Sequence, residues 1–152
     1  MKKLYCFLLA MPLFLGLRSF AQAPCTTLNY GASNATSTLD EEILRVSVGT
    51  MNNVSACGQT AGGAGSLSNR YGNYSGIVAA PQLAQGSLVP WLVQAGTCNG
   101  WYGTSLRIYV DWNQDGLFTG ANELMVNIAN GSVINGNNTG NFTVPAAANI
   151  GF

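Results

Sequence analysis

The sequence predicts an all-β fold, an antiparallel β-sandwich of immunoglobulin-like or jelly-roll topology, preceded by a helical signal peptide. Roughly seven short segments alternate apolar and polar residues, and turn signals separate them at intervals of about 8 to 12 residues. After residue 21, no long stretch has the periodicity of an amphipathic helix. Asn, Ser, Thr and Gly supply more than a third of the 152 residues, a composition typical of turns and strand edges.

The first 21 residues have the pattern of a secretory signal peptide. Two lysines precede the apolar run Leu4–Leu17, and small residues at Ser19 and Ala21 suit cleavage. The apolar run is too short to span a bilayer. The alternative, a lipoprotein, needs a cysteine directly after a small-residue lipobox, whereas Cys25 follows a proline. We therefore expect residues 1–21 to be removed and residues 22–152 to be exported as a soluble domain.

Cleavage at this position changes the charge of the chain. It removes three of the six basic residues and no acidic one, so three arginines and six acids remain and the net charge is −3. Nucleic-acid binding relies on clustered Lys and Arg against the phosphates. We therefore expect no nucleic-acid partner. The remaining length suits one domain.

The chain contains no histidine, and this excludes several kinds of catalytic site. Ser-His-Asp and Cys-His nucleophiles, HExxH zinc sites and histidine-based acid–base pairs all need an imidazole. Asp111, Asp115 and Glu123 are carboxylates on a turn, and nothing in the sequence indicates the cleft that glycoside hydrolysis requires. We expect no enzymatic activity in this domain.

Three strands are predicted in the first half of the mature chain. They are expected at Glu42–Val48, Ser75–Ala80 and Ser87–Val93, with a glycine-rich loop at residues 58–73. Pro90 interrupts the third strand, because proline cannot donate to a β-ladder. We therefore expect that strand at a sheet edge or a bulge.

The second half contains the clearest predicted strand, Thr104–Trp112, in which apolar and polar residues alternate throughout. Asn99-Gly100 before it and Asn130-Gly131 later in the chain predict hairpin turns whose residues need positive φ. Further strands are expected at Leu124–Ile128, at Ser132–Ile134 and around Phe142 and Val144.

Three cysteines remain after cleavage, and an exported protein favours their pairing. We expect a disulfide between Cys25 and Cys57, which restrains the unfolded chain by roughly 3 to 4 kcal/mol in the chain-entropy model. Cys98 is then left over. The sequence stops at Phe152 on apolar residues, so we expect a truncated chain and a partner for Cys98 beyond it. The cysteine spacing does not suit a shared metal ion.

A dense polar motif follows the clearest predicted strand. Asp111, Asn113 and Asp115 place oxygen atoms at alternate positions of a loop, and Gly116 allows the sharp turn with which such a loop wraps calcium. Glu123 offers a returning ligand, although the spacing is not that of a helix-loop-helix calcium loop. The alternative is a turn in which Asp111 and Asn113 accept hydrogen bonds from loop amides. The sequence leaves both interpretations open.

Aromatic side chains provide a second candidate site. Trp91, Trp101 and Tyr102 lie near turns, where flat rings can stack on sugars. To bind a sugar, the three rings would have to lie exposed and coplanar on one surface. The alternative is that these rings fill the sandwich core and cover its ends.

The sequence around the polar motif resembles the signature of the GEVED domain, a module of secreted bacterial proteins. The resemblance rests first on Ile-Tyr-Val-Asp-Trp-Asn-Gln-Asp-Gly-Leu-Phe at residues 108–118 and on Asn122-Glu123-Leu124. Further matching stretches are Pro24-Cys25, Ile43 with Val46, Gly49–Asn53, Ser55–Cys57, Tyr71–Ser75 and Asn141–Pro145. The Gly-Glu-Val-Glu-Asp motif that names the family is absent from the sequence, in line with the expected truncation.

The resemblance implies an exported accessory module, secreted or displayed at the outer membrane surface, often in proteins with a sorting domain for type IX secretion. The function we expect is non-catalytic binding or adhesion, with an extracellular glycan or protein as partner and no membrane-spanning segment. Calcium is the one candidate cofactor. Two alternatives stay open: a carbohydrate-binding accessory domain of a secreted glycan- or protein-degrading enzyme, and a structural spacer.

Overall fold

The structure, a computed structural model, describes residues 40–67 and 71–149. The predicted signal peptide and Cys25 lie outside these ranges. The described residues form six strands and no helix: β1 (Glu41–Val48), β2 (Met51–Val54), β3 (Leu88–Thr97), β4 (Leu106–Tyr109), β5 (Leu124–Ile128) and β6 (Gly136–Thr143). Every pairing between these strands is antiparallel, which confirms the predicted all-β class. Accordingly, the described ranges include no helix that is long and apolar enough to cross a membrane.

The strands form two sheets that share one hydrophobic core. The larger sheet has the order β2-β1-β3-β6, and β4 pairs with β5 in the smaller one. Trp91 and Val93 of β3 and Phe142 of β6 face the core from the larger sheet, while Leu106 and Val126 face it from the smaller one. Burial of these side chains holds the two layers together, because each apolar side chain removed from water contributes roughly 1.5 to 3 kcal/mol to the stability of the fold.

A tight hairpin joins β1 to β2. Val48 pairs with Met51, so the turn consists of Gly49 and Thr50, and Gly49 has a φ of 54°. A positive φ at the first turn position is what a two-residue hairpin connection needs and what glycine supplies without strain. The sequence analysis did not predict β2, because its residues Met-Asn-Asn-Val carry no clear apolar alternation.

The prediction that Pro90 places its strand at an edge or a bulge is wrong. β3 is an inner strand between β1 and β6, and its pairing with β1 ends at Trp91 opposite Val48. The Pro90 carbonyl accepts a hydrogen bond from the Gly49 amide at 3.0 Å. Since the N–H and C=O of a strand residue point to the same side, the missing N–H of Pro90 faces Gly49 of the hairpin turn, beyond the last residue of β1.

The prediction of a strand at Ser75–Ala80 is also wrong. These residues form a turn and an extended loop, and the Tyr74 carbonyl accepts hydrogen bonds from the amides of both Ile77 and Val78 at 3.0 Å. These two bonds close a turn, and a turn interrupts the extended backbone that a strand needs.

The strand predicted at Ser132–Ile134 is replaced by a turn that a buried asparagine stabilises. Asn138 accepts a hydrogen bond from the Ile134 amide at 3.0 Å and donates one to the Ile134 carbonyl at 3.0 Å. Its side chain thus takes the place of a neighbouring strand. Gly131 has the positive φ expected at this turn, at 80°, whereas Asn130 does not.

Asn99-Gly100 does not form the predicted hairpin turn. Neither residue has a positive φ, and the strands on either side, β3 and β4, belong to different sheets. The Thr97 hydroxyl stabilises this crossing by accepting from the Asn99 amide at 3.2 Å and donating to the Gly100 carbonyl at 2.5 Å.

The disulfide joins Cys57 to Cys98, with their Cα atoms 5.6 Å apart, so the predicted pairing of Cys57 with Cys25 is wrong. The expectation that Cys98 pairs beyond Phe152 is wrong for the same reason. β1 lies between β2 and β3, and both of these run antiparallel to it. The chain therefore leaves β2 and β3 at the same end of the sheet, which brings the two cysteines together across 41 residues of sequence.

Candidate functional site

The predicted metal loop connects β4 to β5 and is closed at its base by a backbone hydrogen bond. The Val110 amide donates to the Glu123 carbonyl at 2.9 Å, one step beyond the pairing of Tyr109 with Leu124. Residues 111–122 therefore form a loop that begins and ends at neighbouring points, and this brings Asp111 close to Glu123.

The loop folds around the carboxylate of Asp111. Its Oδ1 accepts a hydrogen bond from the Asp115 amide at 3.2 Å, and its Oδ2 accepts one from the Gly116 amide at 2.9 Å. Gly116, which the sequence predicted as the turn residue, has a φ of 82° and is buried. Gln114 has a φ of 61°, which is uncommon for a residue with a side chain and fits such a tight turn.

Asn113 and Asp115 stiffen the loop further. The Asn113 side chain accepts from the Asp115 amide at 2.9 Å through Oδ1 and donates to Asp115 Oδ2 at 2.9 Å through Nδ2. Asp115 Oδ1 in turn accepts from the Leu117 amide at 2.8 Å. The loop amides thus hold both aspartates in fixed orientations, as the hydrogen-bonded turn interpretation requires.

Glu123 is the feature that a turn does not explain. Its side chain is 1% exposed, and its Oε2 accepts a hydrogen bond from the Gly120 amide at 2.6 Å. A Cβ atom at Gly120 would lie 2.5 Å from Glu123 Oε1, so glycine at this position leaves room for the carboxylate. A buried carboxylate is costly unless other groups compensate its charge.

Three carboxylates converge at this point. One oxygen from each of Asp111, Asp115 and Glu123 lies within 4.8 Å of the other two. Because like charges repel at this range, the arrangement suits a hard cation with oxygen ligands, and its donor set is of the kind that calcium prefers.

A second layer of contacts holds the loop against the sandwich. The Trp112 indole donates to the Asn122 carbonyl at 3.0 Å and packs edge-on against Phe142 of the core. Asn149 donates from its backbone to the Trp112 carbonyl at 2.7 Å and from its side chain to the Asn113 carbonyl at 2.6 Å. The sequence analysis did not identify Asn149, and no local motif marks it, because its role depends on a contact 36 residues away.

A second group of potential ligand atoms lies at the disulfide. Glu42 approaches the sulfur atoms of Cys57 and Cys98. These sulfur atoms are bonded to each other, and a metal site of this kind needs thiolates. The disulfide-bonded protein therefore offers no thiolate ligand here.

The three aromatic residues predicted to bind a ligand do not form one exposed surface. Trp91 is 7% exposed and belongs to the core, and Trp101 packs against the core, partly buried. Tyr102 is 64% exposed, and its backbone amide donates to the Glu41 carboxylate. The structure thus contradicts the prediction for Trp91, since the alternating pattern of β3 turns this ring inward.

The described residues define a class of all-β domain in which two antiparallel sheets share one core and an acidic loop joins β4 to β5. Residues 105–152 match the GEVED domain family, which confirms the resemblance seen in the sequence. The match spans just under a third of the chain and includes β4, the whole acidic loop, β5 and β6. Neither the curated proteins nor the solved structures contain a significant match to the chain.

Proposed function

We propose that this chain is a non-catalytic accessory domain of an exported protein, and that its 111–123 loop binds a calcium ion. In this proposal the domain acts outside the cell, secreted or displayed at the outer membrane surface, in binding or adhesion. The observation that carries the calcium site is the convergence of Asp111 and Asp115 on the fully buried carboxylate of Glu123.

The buried glutamate favours calcium over a simple hydrogen-bonded turn. A turn needs Asp111 and Asn113 to accept loop amides, and the bond from the Gly120 amide to Glu123 does not require that carboxylate to lie beside two others. A divalent cation offsets the repulsion among the three carboxylates, and calcium accepts oxygen ligands in flexible geometry. Asp111, Asp115 and Glu123 are the charged ligands in this proposal, and Asn113 is a neutral candidate whose Oδ1 also accepts the Asp115 amide.

The calcium ion has a structural role here. The loop joins the two strands of the smaller sheet, so fixing its ends stabilises β4 against β5. No histidine exists in the chain to serve as a base beside the metal, which agrees with a stabilising rather than a chemical function.

A thermal melt with calcium and with chelator tests the proposal. Calcium at 100 times its dissociation constant adds about 2.7 kcal/mol if it binds only the folded state, which raises the midpoint by several degrees. In Asp115→Asn, which retains Oδ1 as an acceptor for the Leu117 amide, the calcium-dependent shift should fall sharply.

Asp40→Asn provides the matched control, because it removes the same charge from an acid outside the loop. Its calcium response should equal that of the parent protein. The same midpoint with calcium and with chelator in the parent protein would refute the calcium site and leave a hydrogen-bonded turn.

A further inference from the structure

The larger sheet is only partly covered by the smaller one, and the uncovered part forms a cleft. Val46 of β1 pairs with Val93 of β3 on one side and with Asn53 of β2 on the other, so all three lie on the core-facing side of the sheet. The smaller sheet contributes Leu106 and Val126 to the core that β3 and β6 build. Opposite β1 and β2 there is instead a cleft of about 690 Å3. The chain segment that leads to β3 forms its other side.

The lining of this cleft combines an apolar floor with acidic groups at one end. Val46 and Met51 belong to the floor, and Tyr71 and Tyr74 line the cleft from the segment across it. Glu41 and Glu42, from the start of β1, supply two carboxylates. Charged groups are unfavourable in a sandwich core, and an apolar floor with a few polar groups is the composition common in binding sites.

Apolar side chains around the cleft remain in contact with solvent. Ile43 is 52% exposed and Tyr71 is 44% exposed, and both line the cleft. Large apolar side chains that stay exposed together, next to polar groups, are typical of interaction sites.

The segment opposite the sheet is held in place by its own hydrogen bonds. The Asn73 amide donates to the Ser66 hydroxyl at 2.9 Å, and the Asn73 side chain donates to the Ala64 carbonyl at 3.0 Å. The disulfide between Cys57 and Cys98 fixes the start of this segment to the end of the sheet. These bonds fix the described parts of the wall before binding, which lowers the entropic cost of binding.

The charges of the cleft are all of one sign among its described lining residues. None of these residues is a lysine or an arginine, and Arg45 of β1 hydrogen-bonds Asn52 on the opposite face of the sheet. Glu41 accepts from the Tyr102 amide and Glu42 from the Gly58 amide, each through Oε1. A carboxylate has about four acceptor positions, so both glutamates keep capacity for a cationic donor.

We propose that this cleft binds a lysine or arginine side chain in a peptide segment of a partner protein. Such a side chain has an apolar stem that fits the floor at Val46 and Met51 and a cationic head that pairs with Glu41 and Glu42. The tyrosine rings add cation–π attraction. A neutral sugar would add no positive charge, and the described lining residues supply none to the two carboxylates.

Fluorescence anisotropy of the full chain with a labelled tetralysine peptide, in low salt and with calcium present, tests this site. The peptide should bind, and the same peptide with acetylated lysines should not, because acetylation removes the charge. Glu41→Gln and Glu42→Gln should each weaken binding about fivefold. Tyr71→Ala should also weaken it, because a contact with the cleft wall is lost.

Asp40→Asn is the matched control, since it removes one charge beside Glu41 from a residue that does not line the cleft. Its affinity for tetralysine should stay within about twofold of the parent value. Suppose that Asp40→Asn and Glu41→Gln lose equal affinity for tetralysine and that Tyr71→Ala loses none. This result would overturn the proposal in favour of diffuse attraction to an acidic surface. Binding of maltotriose without binding of tetralysine would also overturn it, in favour of a sugar. Melting curves of each variant, run alongside, ensure that only folded protein is compared.

Discussion

At the scale of single residues, the acidic loop depends on a glycine as much as on its acids. Gly120 supplies the amide that Glu123 accepts, and it has no side chain to displace the buried carboxylate. Asp111, Asp115 and Glu123 could be predicted as candidates, because oxygen side chains at alternate loop positions are visible in the sequence. The importance of Gly120 could not, because it follows from the burial of Glu123 by the fold.

Gly120→Ala should destabilise the domain by about 1 to 3 kcal/mol, the usual cost of overfilling a packed site. The new Cβ would meet the Glu123 carboxylate, which is buried and has little room to move. Chemical denaturation with calcium present measures the loss. Gly62→Ala is the control, because its Cβ would meet only the flexible end of the exposed Ile77 at 3.2 Å. Equal stability of the two variants would show that Glu123 is not confined as described.

At the scale of strands and connections, the sequence predicted the elements that alternate clearly and missed those held by distant contacts. β4 follows the expected alternation, and Leu106 faces the core. β1 follows it only from Arg45 onward, because its pairing with β3 shifts register between Ile43 and Arg45. β2 was not predicted, because its pairing with β1 defines it rather than its own pattern. The edge position expected from Pro90 was wrong, because the effect of a missing N–H depends on where the neighbouring strand ends.

The disulfide allows a sharp test at this scale. A bond between Cys57 and Cys98 closes a loop of 41 residues, which contributes about 4 kcal/mol in the chain-entropy model. Cys98→Ser should therefore lower the free energy of unfolding by about that amount, and Cys25→Ser should leave it nearly unchanged. Denaturant titration of both variants, with and without reductant, gives the comparison. The opposite order, with Cys25→Ser the more damaging, would restore the pairing expected from the sequence.

At the scale of the whole molecule, the acids are concentrated in two places. All six acidic residues of the chain occur either at residues 40–42 or in the group Asp111, Asp115 and Glu123. The first group begins β1 beside the cleft, and the second closes the loop between β4 and β5. In a domain with so few charges, this distribution agrees with two separate tasks, recognition of a cation on a partner and retention of a metal ion.

Separate tasks predict that the two sites are energetically independent. Glu41 is hydrogen-bonded by Tyr102, while Asp115 is bonded by Asn113 and by amides of its own loop, so the two groups have no hydrogen-bond partner in common among these contacts. Changes at sites without common contacts usually add within about 0.5 kcal/mol. The stability changes of Glu41→Gln and Asp115→Asn should therefore sum in the double variant.

Asp115→Asn should also bind tetralysine with the parent affinity while losing its response to calcium. A coupling energy above about 1 kcal/mol in this double-mutant cycle would contradict independence. A change in the tetralysine affinity of the parent protein when calcium is removed would mean that calcium in the loop regulates the cleft.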